Sequence, residues 1–121
     1  MKNFIYTVFV LGFVAIFNIA SAHVKVVKTS PASGETLESS PSSLTISYSK
    51  NVRLVSIKLS HTDGGEVSLD YKLTYAPTAE FVIPVPELKP GKHKAEWIIM
   101  GADSHKMNSS LSFEVLSSKE L

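Results

Sequence analysis

Beyond residue 23, apolar side chains recur at every second position along most of the chain: Val24/Val26, Leu44/Ile46/Tyr48, Val55/Ile57/Leu59, Phe81/Ile83, Ala95/Trp97/Ile99 and Leu111/Phe113/Val115. A period of two sends one side chain to a core and the next to solvent, which is the geometry of a half-buried strand. No window sustains the 3.6-residue period of a helix. The intervals are rich in turn formers: Ser30-Pro31-Ala32-Ser33-Gly34, Ser39-Ser40-Pro41-Ser42-Ser43, Asp63-Gly64-Gly65, Ala76-Pro77 and Lys89-Pro90-Gly91. Asp63-Gly64 suits a tight hairpin, since both residues tolerate positive φ. The pattern predicts a single all-β domain of about seven short antiparallel strands, an immunoglobulin-like sandwich or Greek-key β-barrel.

The segment ahead of the first strand reads differently. Lys2 supplies a positive start, Phe4 to Phe17 is an apolar run, and Ala20-Ser21-Ala22 offers the small-x-small pattern of a signal-peptidase site. A membrane anchor is the alternative, because the run is not far short of the roughly 18 residues that span a bilayer. Asn18 and the Ala-Ser-Ala end favour cleavage after Ala22, with residues 1–22 a signal peptide and 23–121 the exported domain. With the first 22 of 121 residues removed, 99 remain, enough for one core and too few for two.

Lys2 is the only charged residue removed, so 11 of the 12 basic side chains remain against 11 acidic ones. This balance gives no electrostatic basis for nucleic-acid binding or for attachment to an anionic membrane. The absence of Cys rules out disulfides, thiolate catalysis and thiolate metal ligation. Any metal must be held by His, carboxylate, Met or backbone groups. Phosphate-binding glycine loops, Gly-x-Ser-x-Gly elbows and His-Glu-x-x-His helices are missing too, and the chain is read as a non-enzyme.

Four histidines carry what chemistry is left. His61, at the Asp63-Gly64 hairpin, and His93, in Lys92-His93-Lys94, are read as solvated surface residues. Cleavage after Ala22 would give His23 a free α-amine beside its imidazole, and the amine and Nδ1 can close a chelate on one metal ion. Both nitrogens must lose their protons first. The competing reading is that His23 merely follows the cleavage site. In an extended segment Asp103 and His105 would point to one face and could converge. Alternatively, Asp103 caps a turn and His105 is exposed. Together, His23, Asp103 and His105 would supply three nitrogens and a carboxylate oxygen, a donor set that suits tetragonal Cu²⁺.

The ordered set of motifs resembles the CopC/PcoC family of periplasmic copper-binding proteins. The resemblance is carried by His23, Ser30-Pro31-Ala32-Ser33-Gly34, Leu37, Pro41 and Leu44–Ser49, then by Leu88-Lys89-Pro90-Gly91, Trp97, Asp103-Ser104-His105 and Ser112-Phe113-Glu114-Val115. Residues from about Val52 to Val82 match only as strands. The resemblance implies a Greek-key β-barrel in the periplasm and Cu(II) bound by His23, Asp103 and His105. It also implies a role in copper resistance or homeostasis, as a carrier or buffer with a CopD-like inner-membrane transporter as partner. Some members also hold Cu⁺ in a Met-rich site. Beyond the signal peptide this chain has only Met100 and Met107, so no dedicated Cu⁺ site is expected. Lys50 stands where many members carry an acidic residue, Lys106 where Pro is usual, and Ser109 near an expected Gly.

Two other functions fit parts of the sequence. Copper monooxygenases acting on polysaccharides also use an N-terminal His, but they are usually longer and carry disulfides. A metal-free envelope module that binds another protein through its sheet edges would need none of the three ligands. Trp97 is explained as a core aromatic and could also pack beneath the metal site.

Overall fold

The structure is a computed structural model that describes residues 24–117, so the segment read as a signal peptide and His23 lie outside the described residues. Seven strands follow one another: β1 (Val26–Ser30), β2 (Glu35–Leu37), β3 (Ser43–His61), β4 (Gly65–Val67), β5 (Thr78–Pro84), β6 (Gly91–Met100) and β7 (Lys106–Val115). All belong to one sheet that curls on itself in the order β1-β3-β6-β7-β2, with β4 and β5 also pairing with β3.

Strand β3 joins the two faces. Its first part, to Val52, pairs with β1 and β5, and its second part, from Arg53, pairs with β6 and β4. The sequence pattern showed these parts as two separate alternating runs. They are one 19-residue strand because the intervening Ser49-Lys50-Asn51 stays extended. Leu44, Ile46, Tyr48, Val52 and Leu54 are buried at even positions, whereas Leu59 is buried at an odd one. The phase changes at a bulge: Leu54 pairs with Ile99 and Ser56 with Ile98, leaving Val55 as the extra residue. A one-residue insertion turns the following side chains to the opposite face, so both halves of β3 can aim into the same core.

That core comprises these residues with Phe81 and Ile83 of β5, Leu88, Ala95, Trp97 and Ile99 of β6, and Leu111, Phe113 and Val115 of β7. Val26, expected inside, is exposed on β1, beside a bulge between Val26 and Lys28. Among the described residues five of the six strand pairings are antiparallel, and the sixth, β2–β7, is parallel. The Asp63-Gly64 turn also differs from the expected one. His61 pairs with Gly65 across a three-residue loop, Gly64 N–H donates to His61 O, and Gly65 takes the positive φ of 81°. With the longer loop the left-handed position falls on the residue just after it, the first of β4, where glycine adopts it without a Cβ clash.

Candidate metal centre

Asp103 and His105 lie in the loop that connects β6 to β7, at one end of the sandwich. They meet, but through a turn and not along an extended segment as expected. Gly101 N–H donates to His105 O at 3.1 Å, Ser104 N–H donates to Gly101 O at 3.0 Å, and Ser104 takes the left-handed φ of 66°. Asp103 Oδ1 accepts the backbone N–H of His105 at 3.2 Å, an Asx-type turn. Its Oδ2 accepts a hydrogen bond from His105 Nδ1 at 2.7 Å. The turn-capping role considered for Asp103 therefore coexists with convergence on His105.

The electrostatics follow from these contacts. The ring hydrogen bond from His105, with help from its backbone N–H, holds the Asp103 carboxyl below its ordinary range. A carboxylate can only accept, so Nδ1 carries a proton, and it is Nε2 that can offer a lone pair to a metal ion. The His105 side chain is 83% exposed, so an incoming ion reaches that nitrogen without displacing packed groups. An imidazole nitrogen backed by a carboxylate is a donor pair suited to Cu²⁺ or Zn²⁺.

The pair needs further ligands. Among the described residues no group of three His, Cys, Asp or Glu side chains could hold a metal. The neighbouring chain is the N-terminal segment. A methyl group placed on Gly101 would stand 3.1 Å from Asp103 Oδ1 and 4.0 Å from Val24 Cγ2. Val24, next to His23 in sequence, thus borders the same loop. Lys50 is exposed on β3, and Met100 and Met107 lie on adjoining strands at the same end of the fold. Trp97 is only 2% exposed, and its indole N–H is committed to Tyr48, which places it in the core.

His93 departs from the surface reading. It is 1% exposed, stacked at 5.5 Å on Phe113 and edge-on to His61 at 4.7 Å. Its position has the same parity as Ala95, Trp97 and Ile99 on β6, a signal present in the sequence alternation. Nδ1 of His93 donates to Gly91 O at 3.1 Å. His61 is half-buried: its Nδ1 accepts from Asp63 N–H at 3.0 Å, which leaves Nε2 to donate to Pro90 O at 3.0 Å. The His61–His93 pair is therefore a structural clasp between β3 and β6, with the His61 nitrogens spent on backbone groups.

The comparisons agree with this architecture. Residues 26–116 match the model of the CopC domain. The chain belongs to the CopC family. Its fold is similar to that of CopC from Methylosinus trichosporium OB3b, with a TM-score of 0.66, 20% identity, and 78% of this chain covering 94% of that one. It is also similar to PcoC, a methionine-rich copper resistance protein from Escherichia coli, with a TM-score of 0.61, 19% identity, and 77% of this chain covering 98% of that one. No curated protein sequence matches significantly. At these identities the structures establish a CopC-type β-sandwich, while the metal-binding residues must be argued from this chain itself.

Proposed function

We propose that the exported chain, cut after Ala22, binds one Cu²⁺ through the α-amine and imidazole of His23 together with Asp103 and His105. It serves copper resistance or homeostasis in the periplasm as a carrier or buffer, and hands copper to an inner-membrane transporter of the CopD type. The observation that carries this reading is the Asp103–His105 pair, hydrogen-bonded at 2.7 Å on an exposed loop bordered by Val24. CopC-family membership and the likeness to a copper resistance protein support copper as the cargo.

The donor chemistry sets the order of events. His105 offers Nε2 while Asp103 orients its ring, and a carboxylate oxygen becomes available if Asp103 releases the ring and turns to the ion. The amine and imidazole of His23 add two nitrogens, completing a tetragonal N/O set. The test is Cu²⁺ titration and electron paramagnetic resonance of protein exported by a bacterial host and shown by mass spectrometry to begin at His23. One equivalent with a nitrogen-rich tetragonal signal is expected. One residue inserted between Ala22 and His23 should abolish tight binding while leaving the fold intact. Equal affinity in the extended protein would overturn the N-terminal ligand.

A further inference from the structure

Ser49 brackets the start of the folded chain from both sides. Its hydroxyl accepts the backbone N–H of Lys25 at 3.0 Å, and its own N–H donates to Lys25 O at 2.9 Å. This closed pair of bonds extends the β1–β3 ladder beyond its last regular partners, Val26 and Tyr48. The backbone–backbone half would form with almost any residue at position 49. The other half is made by a side-chain acceptor, since the Lys25 N–H goes to the Ser49 hydroxyl and not to a backbone carbonyl. A short hydroxyl rooted in a strand is well suited to catch that N–H.

The bond lies two residues from His23 and one from Val24, which borders the Asp103–His105 loop. We infer that Ser49 is a positioning residue for the N-terminal metal ligand, fixing the chain at Lys25, one residue from the Val24 that borders the Asp103–His105 loop. This inference rests on the Cu²⁺ reading proposed above. A free chain end costs conformational entropy to immobilise on an ion, and an anchor built into the metal-free fold lowers that cost before copper arrives. Ser49 is itself exposed and contributes nothing to the core, so its hydrogen bond can be removed without opening a cavity.

The decisive comparison is Ser49→Val against Ser49→Thr, two side chains of the same shape that differ by the hydroxyl and both favour strands. With exported protein beginning at His23, Ser49→Val should weaken Cu²⁺ binding by about tenfold or more, in the range typical for groups that orient ligands. Its paramagnetic spectrum should show weaker nitrogen coupling, and hydrogen exchange at the Lys25 amide should accelerate in the metal-free protein. Ser49→Thr should restore all three. Wild-type affinity, spectrum and Lys25 exchange in Ser49→Val would overturn the positioning role while leaving the Cu²⁺ reading standing, provided His23→Ala loses binding. If His23→Ala binds as well as wild type, the Cu²⁺ reading and the positioning role fall together.

Discussion

The indole N–H of Trp97 donates to the hydroxyl of Tyr48 at 2.7 Å inside the core, linking β6 to the part of β3 that pairs with β1 and β5. Tyr48 also meets the edge of Phe81, with ring centroids 6.4 Å apart. The bond ties one face of the curled sheet to the other by a polar contact within an apolar layer. Tyr48→Phe keeps the ring packing and strips the acceptor, leaving a buried N–H unpaired. This should cost about 1–3 kcal/mol in urea unfolding. An unchanged midpoint and slope would mean that the indole finds another partner.

His93 predicts how the fold responds to acid. Burial lowers its imidazole below the ordinary value of 6.5, more than the Gly91 carbonyl raises it, and a charged His61 would lower it further. A basic group with a depressed folded pKa stabilises the fold above its unfolded pKa, and that contribution is lost as pH falls through the folded value. Stability should therefore decline as pH drops below about 6.5. Asp103, whose ordinary value is 3.8 and is lowered in the fold, contributes its loss only in more acidic solution. Urea unfolding at pH 7.5, 6.0 and 5.0 should show the decline in wild type and a flatter profile in His93→Leu. Parallel profiles would remove His93 as the cause.

Gly101 leaves room for the carboxylate of Asp103. Its would-be Cβ lies 3.1 Å from Asp103 Oδ1, tight enough that the carboxylate must shift if a methyl group is added. Gly101→Ala should weaken the two hydrogen bonds from His105 and move the Asp103 titration up toward 3.8 in carboxyl-detected NMR. Copper affinity should fall with it, whereas the thermal midpoint should hold, because the loop is outside the core. A carboxyl that titrates as in wild type would show that the loop accommodates the methyl group.

Gly91 meets the His61 ring. It takes φ of 125°, and a Cβ there would sit 2.6 Å from His61 Nε2. Gly91→Ala should destabilise the protein by about 1–3 kcal/mol from backbone strain, and more from loss of the His61 to Pro90 bond. Adding His61→Ala should recover the part due to the clash and leave the part due to φ, which a double-mutant cycle separates. Full additivity would show that the ring moves aside at no cost.

The alternation along the chain was sufficient to name the fold class, because a period of two admits only strands and the turn formers divide them. It also placed Ala95, Trp97, Ile99, Leu111, Phe113 and Val115 in the core, where they are. The family motifs singled out Asp103 and His105, and the structure brings that pair together. The same alternation marked His93 as inward, but its residue type argued for the surface. Only tertiary packing supplied the Phe113 face, the His61 edge and the Gly91 carbonyl that make a buried imidazole tolerable.

What the sequence by itself determined was local: strand character, turn positions and the residue types available to a metal. What the tertiary structure decided depended on partners distant in sequence. The bulge at Val55 exists because β6 supplies one fewer residue opposite β3. The convergence of Asp103 and His105 comes from a left-handed Ser104, not from strand geometry. The anchoring of Lys25 by Ser49 joins residues 24 positions apart, a contact that no local pattern encodes. Alternation reports which side a residue faces, and only the closed sheet determines what it meets there.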